Sequence, residues 1–237
     1  HTRYWRDWEF RRVLFRSVVC IIYFFVTDFN CIYFTDGFMN SQFWNERYST
    51  YETVYGFGPN IFFRDQLLKL KPGRLLLPAE GEGRNALFAS QIGWHVDAFD
   101  FSATAREKAL ALARQFDVNI NYSLEDIRTI TLPSGTFDVI GLIYVHLPDE
   151  VRHRFHRQCI KALNKGGALI LEAFSKKQIS RSSGGPKDVN MLYSLEQLLD
   201  DFTDMKIIYS KTEEITLDEG TFHAGEASVV RLVVQKD

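Results

Sequence analysis

The sequence predicts an α/β protein with an open parallel sheet that is covered by helices on both faces. Two observations lead to this prediction. From residue 60 onward, short apolar segments alternate with segments whose apolar residues recur at helical spacing. In addition, the segments 75–77, 137–143 and 168–174 consist largely of consecutive apolar residues rather than of apolar and polar residues in alternation. Strands of that kind are buried on both faces, as the strands of a parallel sheet are.

The first half of this region contains three predicted helices and three predicted strands. The sequence Lys71-Pro72-Gly73 ends the first helix, and Gly93 ends the second. Ser102 is the predicted N-cap of the third helix. The predicted helices are 60–70, 84–92 and 103–116, and the predicted strands are 75–77, 95–99 and 120–122.

The second half continues the alternation and ends differently. A strand over 137–143 is followed by a helix over 149–163, and a Gly-containing turn at 164–167 leads into a strand over 168–174. A helix over 194–202 then precedes two β-rich segments, 206–211 and 228–235. In an open parallel sheet, ligands bind beyond the carboxyl ends of the strands.

The composition is that of an ordinary globular protein. The chain has 237 residues, of which 46% are hydrophobic and 24% charged, and its net charge is -2. Because no basic stripe is present, electrostatics give no argument for a nucleic-acid partner or an anionic membrane surface. We therefore expect neither partner.

Residues 1–38 differ from the rest of the chain. WEFRRVLFRS resembles the translation of a sequencing-adapter fragment, so we interpret 1–17 as an artefact and 18–38 as upstream read-through before Met39. The alternative is a genuine membrane-associating or interaction leader, although its nine-residue apolar core is shorter than the ~20 residues that span a bilayer. We expect a single domain over 39–237. That domain retains only Cys159, which predicts a reduced cytoplasmic protein without an internal disulfide or a Cys/His metal site.

A glycine pair follows the first predicted strand. The sequence LLLPAEGEGRNA places Gly81 and Gly83 between that strand and the next helix. Glycine permits a close backbone approach to a ligand, and a helix that begins there directs its first N–H groups at the ligand. Dinucleotides and S-adenosylmethionine are both bound in this way, so the G-x-G-x-x-A pattern alone does not choose between them.

Acidic residues follow the second and third predicted strands. Asp100 lies 17 residues after Gly83, where a carboxylate can accept hydrogen bonds from both hydroxyls of a ribose. In Glu125-Asp126-Ile127, Asp126 suits the exocyclic amine of an adenine and Ile127 suits its ring face, with Phe101 on the other face. The alternatives are a solvated loop residue for Asp100 and a turn residue for Asp126.

Several further motifs accompany the glycine turn. They are Phe137-Asp138-Val139-Ile140, Leu163-Asn164-Lys165-Gly166-Gly167 leading into Leu169-Ile170-Leu171-Glu172, and the two late strand segments. Together with GEGRNA, Asp100 and the 125–127 element, they resemble the class I S-adenosylmethionine-dependent methyltransferases over residues 40–237. The opening segments Trp44-Asn45-Glu46-Arg47-Tyr48, Tyr55-Gly56 and Pro59-Asn60 are similar to small stand-alone members near the tellurite-resistance and thiopurine-type enzymes.

This resemblance implies a fold, a cofactor and an activity. The fold is a Rossmann-like, doubly wound sheet of seven strands, mostly parallel, with an antiparallel strand from a C-terminal hairpin. The cofactor is S-adenosyl-L-methionine, and the activity is in-line transfer of its methyl group to a small-molecule acceptor. The implied cofactor-binding residues are Trp44, Tyr48, Tyr55, Glu80, Gly81, Gly83, Asn85, Asp100, Phe101, Ser102, Asp126 and Ile127.

The glycine motif departs from the family pattern. The acidic residue that usually opens it falls on Leu77, and its first glycine falls on Ala79. We expect Glu80 to replace the missing carboxylate at the methionine amino group. The rings of Trp44, Tyr48 and Tyr55 can attract the sulfonium through cation–π contacts, or can simply pack as core or lid.

Two residues after the fourth strand are the catalytic candidates. Tyr144 and His146 lie where family members place residues that face the substrate, and His146 can act as a base or bind backbone groups. His153 and His156 are predicted to face solvent. The loop 181–186 is either a lid or an ordinary connection, and His223 has no predicted role.

Two alternative functions remain at this point. A nicotinamide-dependent oxidoreductase also fits the glycine pattern with its acid, although about 35 residues precede the first strand and no separate substrate domain follows. A non-catalytic S-adenosylmethionine-binding protein would need the same cofactor contacts. The sequence predicts neither the acceptor atom nor the oligomeric state.

Overall fold

The computed structural model describes residues 40–51, 53–220 and 222–237, so the leader predicted over 1–38 lies outside the described residues. Six α-helices are described: α1 Ser41–Thr50, α2 Ile61–Leu67, α3 Arg84–Gln91, α4 Ala103–Gln115, α5 Asp149–Ala162 and α6 Leu195–Asp201. The strands are β1 Arg74–Pro78, β2 His95–Asp100, β3 Ile120–Leu124, β4 Phe137–Ile143, β5 Leu163–Phe174, β6 Lys206–Asp218 and β7 Ala224–Gln235. Two short 3₁₀ helices, Lys176–Ser180 and Val189–Met191, follow β5.

The seven strands form one mixed sheet in the order β3-β2-β1-β4-β5-β7-β6. Strands β1 to β5 are parallel to one another, whereas β7 is antiparallel to both β5 and β6. This confirms the predicted Rossmann-like sheet with an antiparallel C-terminal hairpin. The carboxyl ends of β1, β2 and β4 consequently meet at one edge of the sheet.

A hydrophobic core lies on each face of the sheet. On one face, α5 and α6 contribute Phe155 and Leu198, which pack with Ile140 and Leu171 from the strands. On the other face, α2, α3 and α4 pack against the same strands, and the core residues there include Phe63, Leu67, Leu75, Leu77, Ala86 and Ala109. Burial on both faces explains the apolar runs of the parallel strands.

The hairpin strands are longer than predicted. Pairing between β6 and β7 extends to Asp218 opposite Ala224, although residues 212–218 are mostly polar. The apolar pattern did not reveal this extension because most side chains of β6 are exposed. The N-cap at Ser102 is confirmed, since its side chain accepts a hydrogen bond from the Ala105 N–H.

The prediction that His153 and His156 face solvent is wrong for His156. Its side chain is buried, and its Nδ1 lies 2.7 Å from Oδ2 of Asp201 on α6. Arg152 is buried beside it and donates from Nε to the same carboxylate oxygen at 2.8 Å. His153 is partly exposed and also contacts Asp201. The physical reason is that α6 buries a carboxylate, which supplies a partner for polar side chains on the inner face of α5.

Among the residues that the structure describes, no cluster of His, Cys, Asp and Glu side chains could hold a metal ion. In the same part of the chain, no helix combines the length and the apolar character needed to cross a membrane.

Candidate functional site

The turn between β1 and α3 contains three residues with positive φ. Gly81 and Gly83 have φ of 63° and 85°, and Ala79 has φ of 49°. A Cβ on Gly81 would lie 2.6 Å from the Tyr48 hydroxyl oxygen, and a Cβ on Gly83 would lie 2.7 Å from the Ala109 Cβ. Both glycines are therefore required by contacts within the protein, in addition to any approach to a ligand.

Aromatic residues of α1 lie over this turn. Tyr48 is 4% exposed, and its ring centroid is 5.6 Å from that of Trp44. From the sheet, the Tyr122 hydroxyl donates to the Gly81 carbonyl at 2.7 Å. The turn is thus held between α1 and β3, and burial raises the pKa of Tyr48 well above its ordinary value.

Glu80 binds the N-terminus of α3. Its Oε1 accepts hydrogen bonds from the backbone N–H groups of Asn85 and Ala86, both at 2.8 Å, and Asn85 Nδ2 donates to its Oε2 at 3.3 Å. Burial raises the pKa of Glu80 to about 7, although these hydrogen bonds lower it. In this structure the carboxylate caps a helix, and its contact with a methionine amino group stays a prediction.

Asp100 ends β2 beside the glycine turn. Its Oδ2 accepts from the Gly81 N–H at 3.1 Å, and its Oδ1 accepts from the Ser102 N–H at 2.9 Å. Burial raises the pKa of Asp100 to about 6 despite these bonds. Because a carboxylate has about four acceptor sites, Asp100 can still accept a hydrogen bond from a ribose hydroxyl.

The residues predicted to bind the adenine already have partners within the protein or lie partly in the core. Asp126 forms a bidentate contact with Arg128, with Oδ2 at 2.6 Å from NH2 and 2.9 Å from Nε. Burial raises the pKa of Asp126, but the hydrogen bonds and charge of Arg128 outweigh that effect and the pKa is lowered. Ile127 is buried in the core with Phe99, and Phe101 is half-buried directly after β2.

The structure brings together an aromatic cluster at the carboxyl ends of β4 and β5. His223 lies 4.5 Å from both Tyr55 and Tyr144 and 5.3 Å from Phe174, measured between ring centroids. Tyr144 has φ of 54°, an unusual backbone conformation for a tyrosine. We call Tyr55, Tyr144, Phe174 and His223 the aromatic cluster. It joins a predicted cofactor residue and a predicted catalytic residue to a histidine without a predicted role.

Both ring nitrogens of His146 contact backbone groups at hydrogen-bonding distance. Its Nδ1 lies 2.7 Å from the Met191 carbonyl oxygen, and its Nε2 accepts from the Phe174 N–H at 3.2 Å. Burial lowers its pKa to about 4. With both ring nitrogens bonded, His146 has no free lone pair for a proton, so the structure favours its backbone-binding alternative over a role as base.

A buried network of charges supports the aromatic cluster. Glu219 accepts from Arg84 NH2 at 2.8 Å, and its Oε2 lies 3.5 Å from His223 Nδ1. Asn60 Nδ2 bridges Glu219 and Glu172, at 3.2 and 2.6 Å. Burial lowers the pKa of His223 even though Glu219 raises it. The imidazole is therefore neutral at pH 7 and can accept a proton.

The order of the strands separates this sheet from that of a dinucleotide-binding domain. In the latter, the strand next to β5 is parallel, in the order 3-2-1-4-5-6. Here β7 lies beside β5 and runs antiparallel to it. A family model described as a methyltransferase domain matches residues 78–167. Over this stretch the chain is similar to methyltransferase domains.

Solved structures of low sequence identity share this fold. TehB from Haemophilus influenzae is 17% identical, with a TM-score of 0.64 over 83% of this chain and 67% of its own. A methyltransferase from Methanosarcina mazei that depends on S-adenosylmethionine is 16% identical, with a TM-score of 0.60 over 76% of this chain and 98% of its own.

A third similar structure is that of a protein described with the conversion of a disulfide bond into a thioacetal group during echinomycin biosynthesis. It is 16% identical, with a TM-score of 0.64 over 76% of this chain and 83% of its own. At such identities the likeness shows the fold alone. No curated protein sequence matches this chain.

The methyltransferase family implies S-adenosylmethionine as the cofactor. The residues present fit that group, because Asp100 is a buried carboxylate with open lone pairs at the carboxyl end of β2. Ser102, which caps α4, and Asn85, which accepts from the Asn60 N–H at 2.9 Å, hold the surrounding loops in place. Both were predicted as cofactor-binding residues, and that role stays a prediction.

Proposed function

We propose that this chain transfers the methyl group of S-adenosylmethionine to a small-molecule acceptor by in-line displacement. The observation that supports this most directly is the buried Asp100 carboxylate beside the glycine turn in a methyltransferase domain. When bound, the cofactor supplies a methyl group that its positively charged sulfur already activates. The main task of the chain is therefore to hold the acceptor in line with that methyl group.

On the cofactor side, we assign the ribose to Asp100 and the adenine to Asp126, Ile127 and Phe101. Asp126 would divide its oxygens between the adenine amine and Arg128, which already binds both of them. The rings of α1 lie over the glycine turn, where a sulfonium can gain cation–π attraction of about 0.5–2 kcal/mol per ring.

On the acceptor side, we place the substrate against Tyr55 and Tyr144 and assign the base to His223 rather than to His146. The support is that His223 contacts both tyrosines while Glu219 lies beside its Nδ1. A carboxylate in that position orients the ring and stabilises the imidazolium that forms when a proton is taken up. A base is needed only for acceptors that are protonated at neutral pH.

Calorimetric titration with S-adenosylmethionine, S-adenosylhomocysteine and NAD tests the cofactor. We expect the two sulfur nucleosides to bind and NAD to give no heat. Binding of NAD alone would contradict the proposal and would favour the oxidoreductase.

A panel of thiols, amines and phenols, offered with S-adenosylmethionine, tests methyl transfer. Substitution His223→Asn should slow methylation of acceptors that carry a proton and spare those already ionised. His95→Asn is the matched control, because His95 is exposed at the amino end of β2. A protein that binds the cofactor but methylates nothing in the panel would favour the non-catalytic alternative.

A cytoplasmic location also stays a prediction.

A further inference from the structure

Strand β6 forms one edge of the sheet. In the described part of the chain, its only neighbour in the sheet is β7, so its other side is unpaired. The strand is 13 residues long, and most of its side chains are exposed. A long edge of this kind presents backbone N–H and C=O groups to which another strand can add.

Symmetry restricts how two copies of such an edge can pair. If a two-fold axis perpendicular to the sheet relates them, the strands run antiparallel and each residue faces one that is equally far from the axis on the other side. Directly opposed side chains lie on the same face of the sheet, so the axis must pass midway between one residue and its own copy. Each possible register is therefore defined by one central residue.

The sequence of β6 is complementary to itself about Thr212. With the axis at this residue, Lys211, which already pairs with Glu213 of its own chain, also faces Glu213 of the second copy, and Tyr209 faces Ile215. The remaining pairs are Ser210 with Glu214 and Thr212 with its own copy. Opposite charges, an aromatic with a β-branched residue, and two threonines are all stabilising cross-strand pairs.

Neighbouring registers lack this complementarity. An axis at Lys211 places two lysines directly opposite each other, and an axis at Glu213 or Glu214 places two glutamates opposite each other. Like charges in that position destabilise a strand pair. Between residues 209 and 218, axes at Ser210 and Ile215 avoid like charges but place no opposite charges face to face, so the charge pattern favours Thr212.

A bulge in β6 sets one limit of the paired segment. The register with β7 shifts between Ile207 and Tyr209, and a bulge of this kind interrupts regular pairing. Ile207 and Ile208, which are 51% and 52% exposed, lie just beyond this limit. In a symmetric pair they would add apolar surface at both ends of the contact.

We propose that two copies of this chain associate through β6, antiparallel about a two-fold axis at Thr212. The two sheets then become one continuous sheet. This interface does not depend on the proposed methyl transfer.

Cysteine cross-linking tests the register. The full chain is used with Cys20 and Cys31 replaced by serine, so that neither can form a competing disulfide. Cys159 can remain, because it is buried. In Thr212→Cys, the two thiols face each other at a Cα separation of about 4.5–5.5 Å, which a disulfide can span. In Thr216→Cys, the two thiols lie roughly 27 Å apart, at about 3.4 Å per residue. Mild oxidation should therefore link the first variant into a dimer and leave the second unlinked.

Sedimentation measures the association itself. Lys211→Glu places like charges opposite each other twice and should weaken dimerisation roughly tenfold. Lys206→Glu, beyond the bulge, is the control and should change it little. The proposal is overturned if the unmodified chain stays monomeric and Thr212→Cys does not cross-link. It is also overturned if Thr216→Cys cross-links as readily as Thr212→Cys.

Discussion

At the level of single residues, substitution of Asp100 tests the ribose assignment most directly. Replacing it by alanine removes the acceptor for the ribose hydroxyls, and each hydrogen bond to a charged group is worth about 1.5–3 kcal/mol. We expect Asp100→Ala to weaken binding of S-adenosylhomocysteine at least about tenfold while the fold stays intact, as measured by calorimetry and circular dichroism.

Asp97→Ala is the matched control for this substitution. Asp97 lies on the same strand, but its carboxylate contacts Arg74 and Asn121 rather than the glycine turn. Its removal should leave cofactor affinity unchanged. Normal binding by a folded Asp100→Ala protein would refute the ribose assignment.

The same carboxylate makes stability depend on pH. The pKa of Asp100 is about 6 in the folded chain, against an ordinary value of 3.8. Between these pH values the folded state holds a proton that the unfolded state has released, so the free energy of unfolding falls as pH rises through this window. The difference between the two pKa values corresponds to a change of at most roughly 3 kcal/mol in the free energy of unfolding.

Asp100→Asn should remove this part of the pH dependence, because an amide does not titrate in this range. Urea denaturation at about pH 4 and about pH 7 measures the change in both proteins. The contribution of Glu80, whose pKa is also raised, remains in both. An unchanged difference between the two pH values would show that Asp100 is already ionised at low pH.

At the level of elements, α5 and α6 are joined by a buried ion pair. The Asp201 side chain is fully buried and binds Arg152 and His156, and the His156 ring stacks on Phe202. Removing Asp201 would leave the buried Arg152 with only the exposed Asp149 as carboxylate partner, and losing a buried ionic partner costs up to about 3–5 kcal/mol. We expect Asp201→Asn to lower the free energy of unfolding, measured by urea denaturation, by up to about that amount. Asp200→Asn, an exposed neighbour, should have almost no effect.

This helix pair also shows what the apolar pattern misses. Phe155 and Cys159, which recur at helical spacing on α5, are both completely buried. The apolar pattern could not place His156, because burial of an imidazole depends on a partner that lies 45 residues further along the chain. Polar residues are buried by their partners, and sequence spacing does not show those partners.

The cofactor side and the acceptor side of the candidate site also differ in how far the sequence could predict them. The glycine turn and Asp100 follow two consecutive strands, so a local pattern was enough to predict that they meet. Glu219 and His223 reach Arg84 and Tyr55 only through the pairing of the C-terminal hairpin. The one local signal for His223 was its place between Gly220 and Gly225, which indicated a turn but no chemistry.

At the level of the whole molecule, the described sheet and its helices belong to one compact unit. This unit extends from Ser41 to Asp237 and contains the entire sheet. We therefore expect deletion of residues 1–38 to leave the thermal midpoint and cofactor affinity unchanged. A loss of either would show that the leader is a working part of the protein rather than an artefact.

The position of His223 in the loop between β6 and β7 has an evolutionary consequence. The residues assigned to the cofactor belong to the glycine turn and the ends of β2 and β3, whereas Glu219 and His223 belong to a short loop elsewhere in the sequence. Under the proposed assignment, mutations of His223 alter which acceptor is chosen, whereas mutations of Glu219 also reach the start of α3 through Arg84. A new substrate preference can thus arise by exchange of a few residues at the tip of one hairpin.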